Sequence, residues 1–349
     1  MKNFILLAAT SALAASILFY IQLPAALLIG AIISAVIFAS FDRMIAVPRS
    51  TFVVAQAVVG LLMAHALHLD YLKEIASQWP IFVIGVFSVI VLSYIIGYVL
   101  ARMQILPGST ALWGASPGSA STMVLLCEAF NADQRLVAFM AYMRVILVAC
   151  LTTTVGHHYM TGHTPPVWLT MQSPGSLLQT LIVLVIAVVI GGRLRLPSAP
   201  MLLSLFIAIV AQTYTGKTAE LPLWLLAPSY LALGWVIGGR FTRKAVHHAW
   251  RALPAVVTAN LILIIGCALI AWPIAKLMHT SYLAAYLATS PGGSDSVAII
   301  AMSLPVDRGF VMAMQIFRLF AVLAIAPPLA MGLARLLPPE LSEKPEKRA

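Results

Sequence analysis

The sequence predicts an all-α, polytopic membrane protein built from two related halves. Composition, the length of the apolar runs and a match of the chain to itself predict it. Of the 349 residues 61% are apolar and only 9% charged, and the mean hydropathy is +0.98. A soluble domain carries roughly a quarter charged residues. The deficit runs along the whole chain, which excludes a soluble domain on a single anchor. Stretches between loops hold roughly 17–25 apolar residues, enough for a helix to cross ~30 Å of hydrocarbon. The alternating pattern of a membrane β-barrel is absent.

Sliding the chain by 174 positions lays Ser116-Pro117-Gly118 on Ser290-Pro291-Gly292. Asp133 then meets Asp307, Met140 meets Met314 and Arg144 meets Arg318, while upstream Pro48 meets Pro222, Gly60 meets Gly234 and Pro80 meets Pro254. Leu23-Pro24 meets Leu196-Pro197 at an offset of 173. Matches of Pro, Gly, Asp and Arg weigh more than matches of Leu or Val in so apolar a chain. The reading is a duplication: repeat 1 over 1–170, repeat 2 over 171–337, and a short polar tail over 338–349. The first twenty residues look like a signal peptide, with Lys2, an apolar run and Ala12-Leu13-Ala14. Their counterpart at about 178–194 argues for a retained first helix.

Each repeat is expected to hold five transmembrane helices and one interrupted segment. The spans are about 4–20, 24–40, 51–68, 80–101 and 134–155, then about 178–194, 197–213, 222–239, 253–274 and 309–334. The interrupted segments, about 108–130 and 281–304, each break at Ser-Pro-Gly. If they re-enter without crossing, the repeats are inverted; if they cross, the repeats are parallel. Loop charge decides, because Lys and Arg stay on the cytoplasmic side. With five crossings and a cytoplasmic N-terminus, 15 of the 21 Lys and Arg fall inside, among them Arg43, Arg102, Arg193, Arg240, Arg243 and Lys244. Only Lys73, Lys217, Lys276 and Arg308 fall outside. Six crossings would turn the basic loop 240–251 outward. The expectation is therefore two inverted repeats in an inner membrane, with both termini cytoplasmic. The net charge of +10 is then inner-loop charge and no nucleic-acid surface.

The two breaks are where chemistry is expected. Proline removes a backbone donor and glycine admits unusual torsions, so peptide groups are freed inside the bilayer. Such backbone is tolerated where protein covers it or a cavity solvates it. Matched broken helices in inverted repeats mark midplane binding sites in secondary transporters. The candidate substrate-binding residues are Ser116, Pro117, Gly118, Ser119, Ser121, Thr122 and Arg144, with Ser290, Pro291, Gly292, Gly293, Ser294, Asp295, Ser296 and Arg318. The alternative for the breaks is a kink for packing alone.

Arg144 and Arg318 each lie well inside an apolar helix, where a guanidinium costs roughly 2.5–3.5 kcal/mol and needs a partner. Asp295, Glu128 and the freed carbonyls are candidates. The arginines read either as an anion clamp or mobile ion pair, or as a structural salt bridge between the long helix and the broken one. Asp295 either binds a proton or Na⁺ or neutralises an arginine. Asp133 and Asp307 read as N-caps, and Gly234 and Gly238 as a small-residue packing motif. Cys127, Cys150 and Cys267 read as packing residues. The histidines do not complete a metal site, and no cofactor or catalytic constellation is expected.

The blocks SPGSASTMVLLCEAFNADQRLVAFMAYMRVILV and ATSPGGSDSVAIIAMSLPVDRGFVMAMQIFRLF resemble the duplicated signature of the bacterial AbrB-type membrane proteins. VPRSTFVVAQAVVGLLMAHAL and LPLWLLAPSYLALGW are similar to spans of the same family. One departure is Pro117-Gly118-Ser119, where the usual Pro-Gly-Gly is kept only at Pro291-Gly292-Gly293. The resemblance implies a role as a regulator of gene expression or as an ammonia monooxygenase. The second would need copper or iron ligands that the sequence lacks. The functional expectation is a secondary transporter or exporter of a small, anionic or amphipathic solute. The alternative is a membrane-embedded regulator acting through a partner, without binding DNA itself. Neither is an enzyme; the bilayer and a small solute are the expected partners, and a homodimer is left open.

Overall fold

The computed structural model describes residues 2–21, 23, 25–43, 46–67, 77–106, 108–118, 123, 127, 132–159, 174–194, 198–243, 247, 250 and 252–336. Among them are thirteen helices and no strand. They are α1 (Lys2–Tyr20), α2 (Ala26–Ser40), α3 (Arg49–Ala66), α4 (Trp79–Arg102), α5 (Gly108–Ala115), α6 (Gln134–Tyr159) and α7 (Pro174–Gly191). There follow α8 (Ala199–Thr215), α9 (Leu223–Gly238), α10 (Leu253–Leu277), α11 (Tyr282–Thr289), α12 (Ser294–Met302) and α13 (Arg308–Arg335). Each expected span contains one helix. Six helices are long and apolar enough to cross a membrane, and α2, α7, α8 and α9 are shorter apolar helices. The expected interruptions are present: α5 stops at Ala115, and a non-helical stretch separates α11 from α12.

The chain forms two compact units that do not follow the two halves. The first takes residues 1–78, 149–243 and 295–313; the second takes 79–148, 244–294 and 314–349. Each collects corresponding elements from both halves.

In the first unit, small residues set the helix spacing. α3 lies on α8 so closely that a Cβ on Gly60 would fall 2.0 Å from Ser204 Oγ and 2.1 Å from Met201 O. α9 lies on α2 in the same way: a Cβ on Gly234 would fall 2.5 Å from Ala31 Cβ and 2.9 Å from Leu28 O, and one on Gly238 2.5 Å from Ile32 O. Met201 and Ser204 follow Leu28 and Ala31 by 173 residues, and Gly234 follows Gly60 by 174. The Gly234/Gly238 motif is thus a packing motif. α1 is held by its own contacts. Gly30 on α2 abuts the Ala15 backbone, Trp235 Nε1 donates to Ser11 Oγ at 2.9 Å, and the Phe4 ring meets the Trp235 ring edge-on.

In the second unit, α4 and α10 run antiparallel. Gly85 lies beside Ile274 and Gly266 beside Leu92, with Val89, Leu263 and Cys267 buried between the helices. Ile84, Phe87, Val91 and Ile95 form an exposed apolar stripe on α4, as Ile262, Ile265, Leu269 and Trp272 do on α10. Helices apolar on both faces belong in a core or a membrane. The short α5 leans on α4 at Gly97, where a Cβ would fall 3.1 Å from Ala111 O, and α11 leans on α10. Cys127 and Cys267 are buried free thiols. Cys150, on the end of α6 that belongs to the first unit, is exposed rather than packed.

Candidate functional site

The second unit contains both Ser-Pro-Gly breaks. A residue before proline is driven out of the helical region by the pyrrolidine ring, and Ser290 accordingly takes φ −57° and ψ 137°. α11 therefore ends at Thr289, and α5 ends at Ala115 ahead of Pro117. Each ending leaves carbonyl groups without intrahelical partners, at the negative end of the helix dipole.

The two arginines fill these positions. Arg144, on α6, donates from Nη1 to Ala115 O at 2.9 Å and from Nη2 to Ser116 O at 2.8 Å. Arg318, on α13, donates from Nη1 to Ser290 O and from Nη2 to Gly292 O at 2.8 Å. Ser116 and Ser290 are counterparts, as are Arg144 and Arg318, so one long-range contact is made twice. Arg144 is 0% and Arg318 2% exposed. Cys267 lies near both. Among the described residues neither arginine meets a carboxylate. Each guanidinium caps carbonyl groups that a broken helix leaves open, acceptors of the right sign that need no second buried ion; Glu128, one of the carboxylates named as a partner, lies outside the described residues.

Ser116, Pro117, Gly118, Ser290, Pro291, Gly292, Gly293 and Ser294 are all buried in this unit. Gly118 lies against α13: a Cβ there would fall 3.1 Å from Val322 Cγ1, one turn beyond Arg318. Tyr94 donates from its hydroxyl to Ala326 O at 3.1 Å, and that hydroxyl lies beside Ser116. Asp295 and Ser296 stand in the first turn of α12, within the first unit, Asp295 partly exposed and Ser296 buried. Ser119, Ser121, Thr122 and Glu128 lie outside the described residues. The two aspartates are N-caps: Asp133 Oδ1 accepts from Arg135 N at 2.9 Å, and Asp307 Oδ1 from Phe310 N at 3.1 Å.

Sequence reasoning missed Gln315. It accepts from Arg318 Nη2 at 2.6 Å through Oε1 and donates from Nε2 to Leu287 O at 2.7 Å. A glutamine three residues before a buried arginine on an apolar helix was a readable signal. Its counterpart, Ala141, cannot do the same.

The family model of "Transition state regulatory protein AbrB" matches residues 27–334, a range that includes both breaks and both arginines. The chain belongs to the AbrB family. It is 40% identical over 315 residues to "Putative regulator AbrB" of Escherichia coli (strain K12), covering 89% of this chain and 90% of that one. It is also 25% identical over 302 residues to "Uncharacterized protein YhjN" of Bacillus subtilis (strain 168), covering 80% of this chain and 78% of that one.

Proposed function

We propose that this AbrB-family protein is an inner-membrane carrier or exporter that binds a small anionic solute near mid-depth, between two broken helices. The observation that carries this reading is the pair of buried guanidinium groups, each held by backbone carbonyls of a broken helix, with no carboxylate bonded to them among the described residues. Carbonyl dipoles offset part of each charge; an anion entering the site would offset the rest. The inverted arrangement is part of the proposal. It is supported by the antiparallel crossing of α4 and α10 at Leu92 and Gly266, which are themselves counterparts 174 residues apart. Counterpart residues face each other in this way when a two-fold axis passes between antiparallel copies. On this reading the broken segments re-enter, both termini are cytoplasmic, and hydrocarbon covers the stripes on α4 and α10.

Reconstituted vesicles test the reading. Uptake of labelled acetate, phosphate and sulfate is measured one anion at a time in wild type and in Arg144→Gln. Saturable uptake of one anion, reduced at least about tenfold in the variant, is the expected result. Linear uptake of all three, equal to that of protein-free vesicles, overturns the carrier.

A second reading follows from the name given to the Escherichia coli relative: a membrane-embedded regulator working through a cytoplasmic partner that docks on the basic loop 240–251. Site-specific crosslinking from that loop in cells would capture such a partner, and an empty crosslink at every loop position counts against it.

A further inference from the structure

The first unit contains a pocket of about 370 Å³. The C-terminal end of α3 brings His65 and Ala66 to it, the loop after α8 brings Thr218, and the turn from α12 into α13 brings Met302, Val306, Asp307 and Arg308. The loop wall is held by hydrogen bonds along its length. His65 Nδ1 donates to Ala219 O at 2.8 Å, Thr180 Oγ1 to Glu220 O at 2.9 Å, and Gln179 Nε2 to Lys217 O at 3.3 Å.

Two opposite charges share this pocket without meeting. Asp307 and Arg308 are consecutive, with Cα atoms about 3.8 Å apart, yet among the described residues neither enters an ion pair. The helix end beside them is already capped: Asp307 Oδ1 accepts from Phe310 N at 3.1 Å, and Asp307 O from Val311 N at 3.2 Å. An ionised carboxylate accepts at about four positions, and the cap bond uses one. Arg308 is partly buried and is the first residue of α13, where a cation opposes the helix dipole. Such a helix start does not need an arginine, since α6 begins after the same aspartate cap with Gln134.

We propose that this pocket binds a small α-amino acid, with the Arg308 guanidinium taking its carboxylate, Asp307 its ammonium group, and Ala66, Met302 and Val306 a short aliphatic side chain. An α-amino acid carries both charges on one carbon, which matches pocket charges on consecutive residues. A guanidinium receives a carboxylate through two parallel hydrogen bonds. A ligand lacking either charge leaves one pocket charge unpaired and is rejected for that reason. The volume lies at the lower end of the range for small-molecule pockets, about 300–1,000 Å³. The proposal is independent of the carrier reading, because no described residue of either break lines this pocket.

Binding of labelled L-alanine to the full-length protein in detergent, followed by scintillation proximity, tests the site. Unlabelled L-alanine, propionate, ethylamine and glycerophosphoethanolamine are the competitors. Wild type is expected to bind L-alanine saturably. Propionate lacks the ammonium group and ethylamine the carboxylate, so each should compete at least about tenfold less well than L-alanine. Arg308→Gln and Asp307→Asn should each weaken binding by about tenfold or more, the loss expected for a hydrogen bond to a charged group. Asparagine caps a helix about as well as aspartate and glutamine already opens α6, so both variants should unfold near the wild-type temperature. No saturable binding by wild type overturns the site, and so does binding that both variants leave within about twofold. Propionate competing as well as L-alanine overturns the two-charge assignment. Glycerophosphoethanolamine competing better than L-alanine overturns the amino acid in favour of a lipid headgroup.

Discussion

Gly60 is where a single methyl group should do most damage. In Gly60→Ala the new Cβ would sit 2.0 Å from Ser204 Oγ and 2.1 Å from Met201 O. Ordinary contacts of a Cβ begin near 3.4 Å, so α3 and α8 must separate by more than 1 Å. Rotating Ser204 away does not help, because the second obstacle is backbone, and the Ser204 hydroxyl is itself bonded to Met201 O at 3.0 Å. Overpacking of this kind costs typically 1–3 kcal/mol, and a gap of 0.5–1 Å elsewhere along the interface forfeits a quarter to a half of each dispersion contact. The gain in helix propensity from Gly to Ala is only about 1 kcal/mol. The net loss should therefore be about 2 kcal/mol. Gly332→Ala is the matched control: it makes the same substitution on α13, where a new Cβ meets nothing within 4 Å, and should be neutral or stabilising. A thiol-reactive dye reports unfolding through the buried Cys127 and Cys267, over a baseline from the exposed Cys150. A Gly60→Ala protein that unfolds at or above the wild-type temperature would refute the close-approach argument.

Three further outcomes follow from single contacts. Gln315→Ala strips Arg318 of its side-chain partner and Leu287 O of its donor, and should cost about 1.5–3 kcal/mol in the same unfolding assay. Ser93→Ala removes a buried hydroxyl that has no partner, so it should leave stability unchanged or raise it by up to about 1 kcal/mol. Trp235→Phe deletes the bond that ties α9 to Ser11 on α1 and should cost about 1 kcal/mol; combined with Ser11→Ala the losses should be less than additive, since both remove one interaction.

Much of the architecture was legible in the sequence because its causes are local. Hydropathy over a window decides where a helix can lie in lipid, and a proline acts on its own residue and its neighbour. Hence the spans, the endings at Ala115 and Thr289, and the caps at Asp133 and Asp307 could all be placed from the chain alone. The close helix contacts were half legible. Gly234 and Gly238 announced a tight interface, but nothing in the spacing said that Leu28, Ala31 and Ile32 would face them.

What the sequence by itself determined is an apolar, helical chain with two prolyl breaks and two arginines at the same distance after them. The tertiary structure decided which groups those arginines meet. Ser116 and Arg144 are 28 residues apart, as are Ser290 and Arg318; whether a guanidinium finds a carboxylate, a carbonyl or a glutamine across such a gap depends on helix rotation and approach. Only packing fixes those.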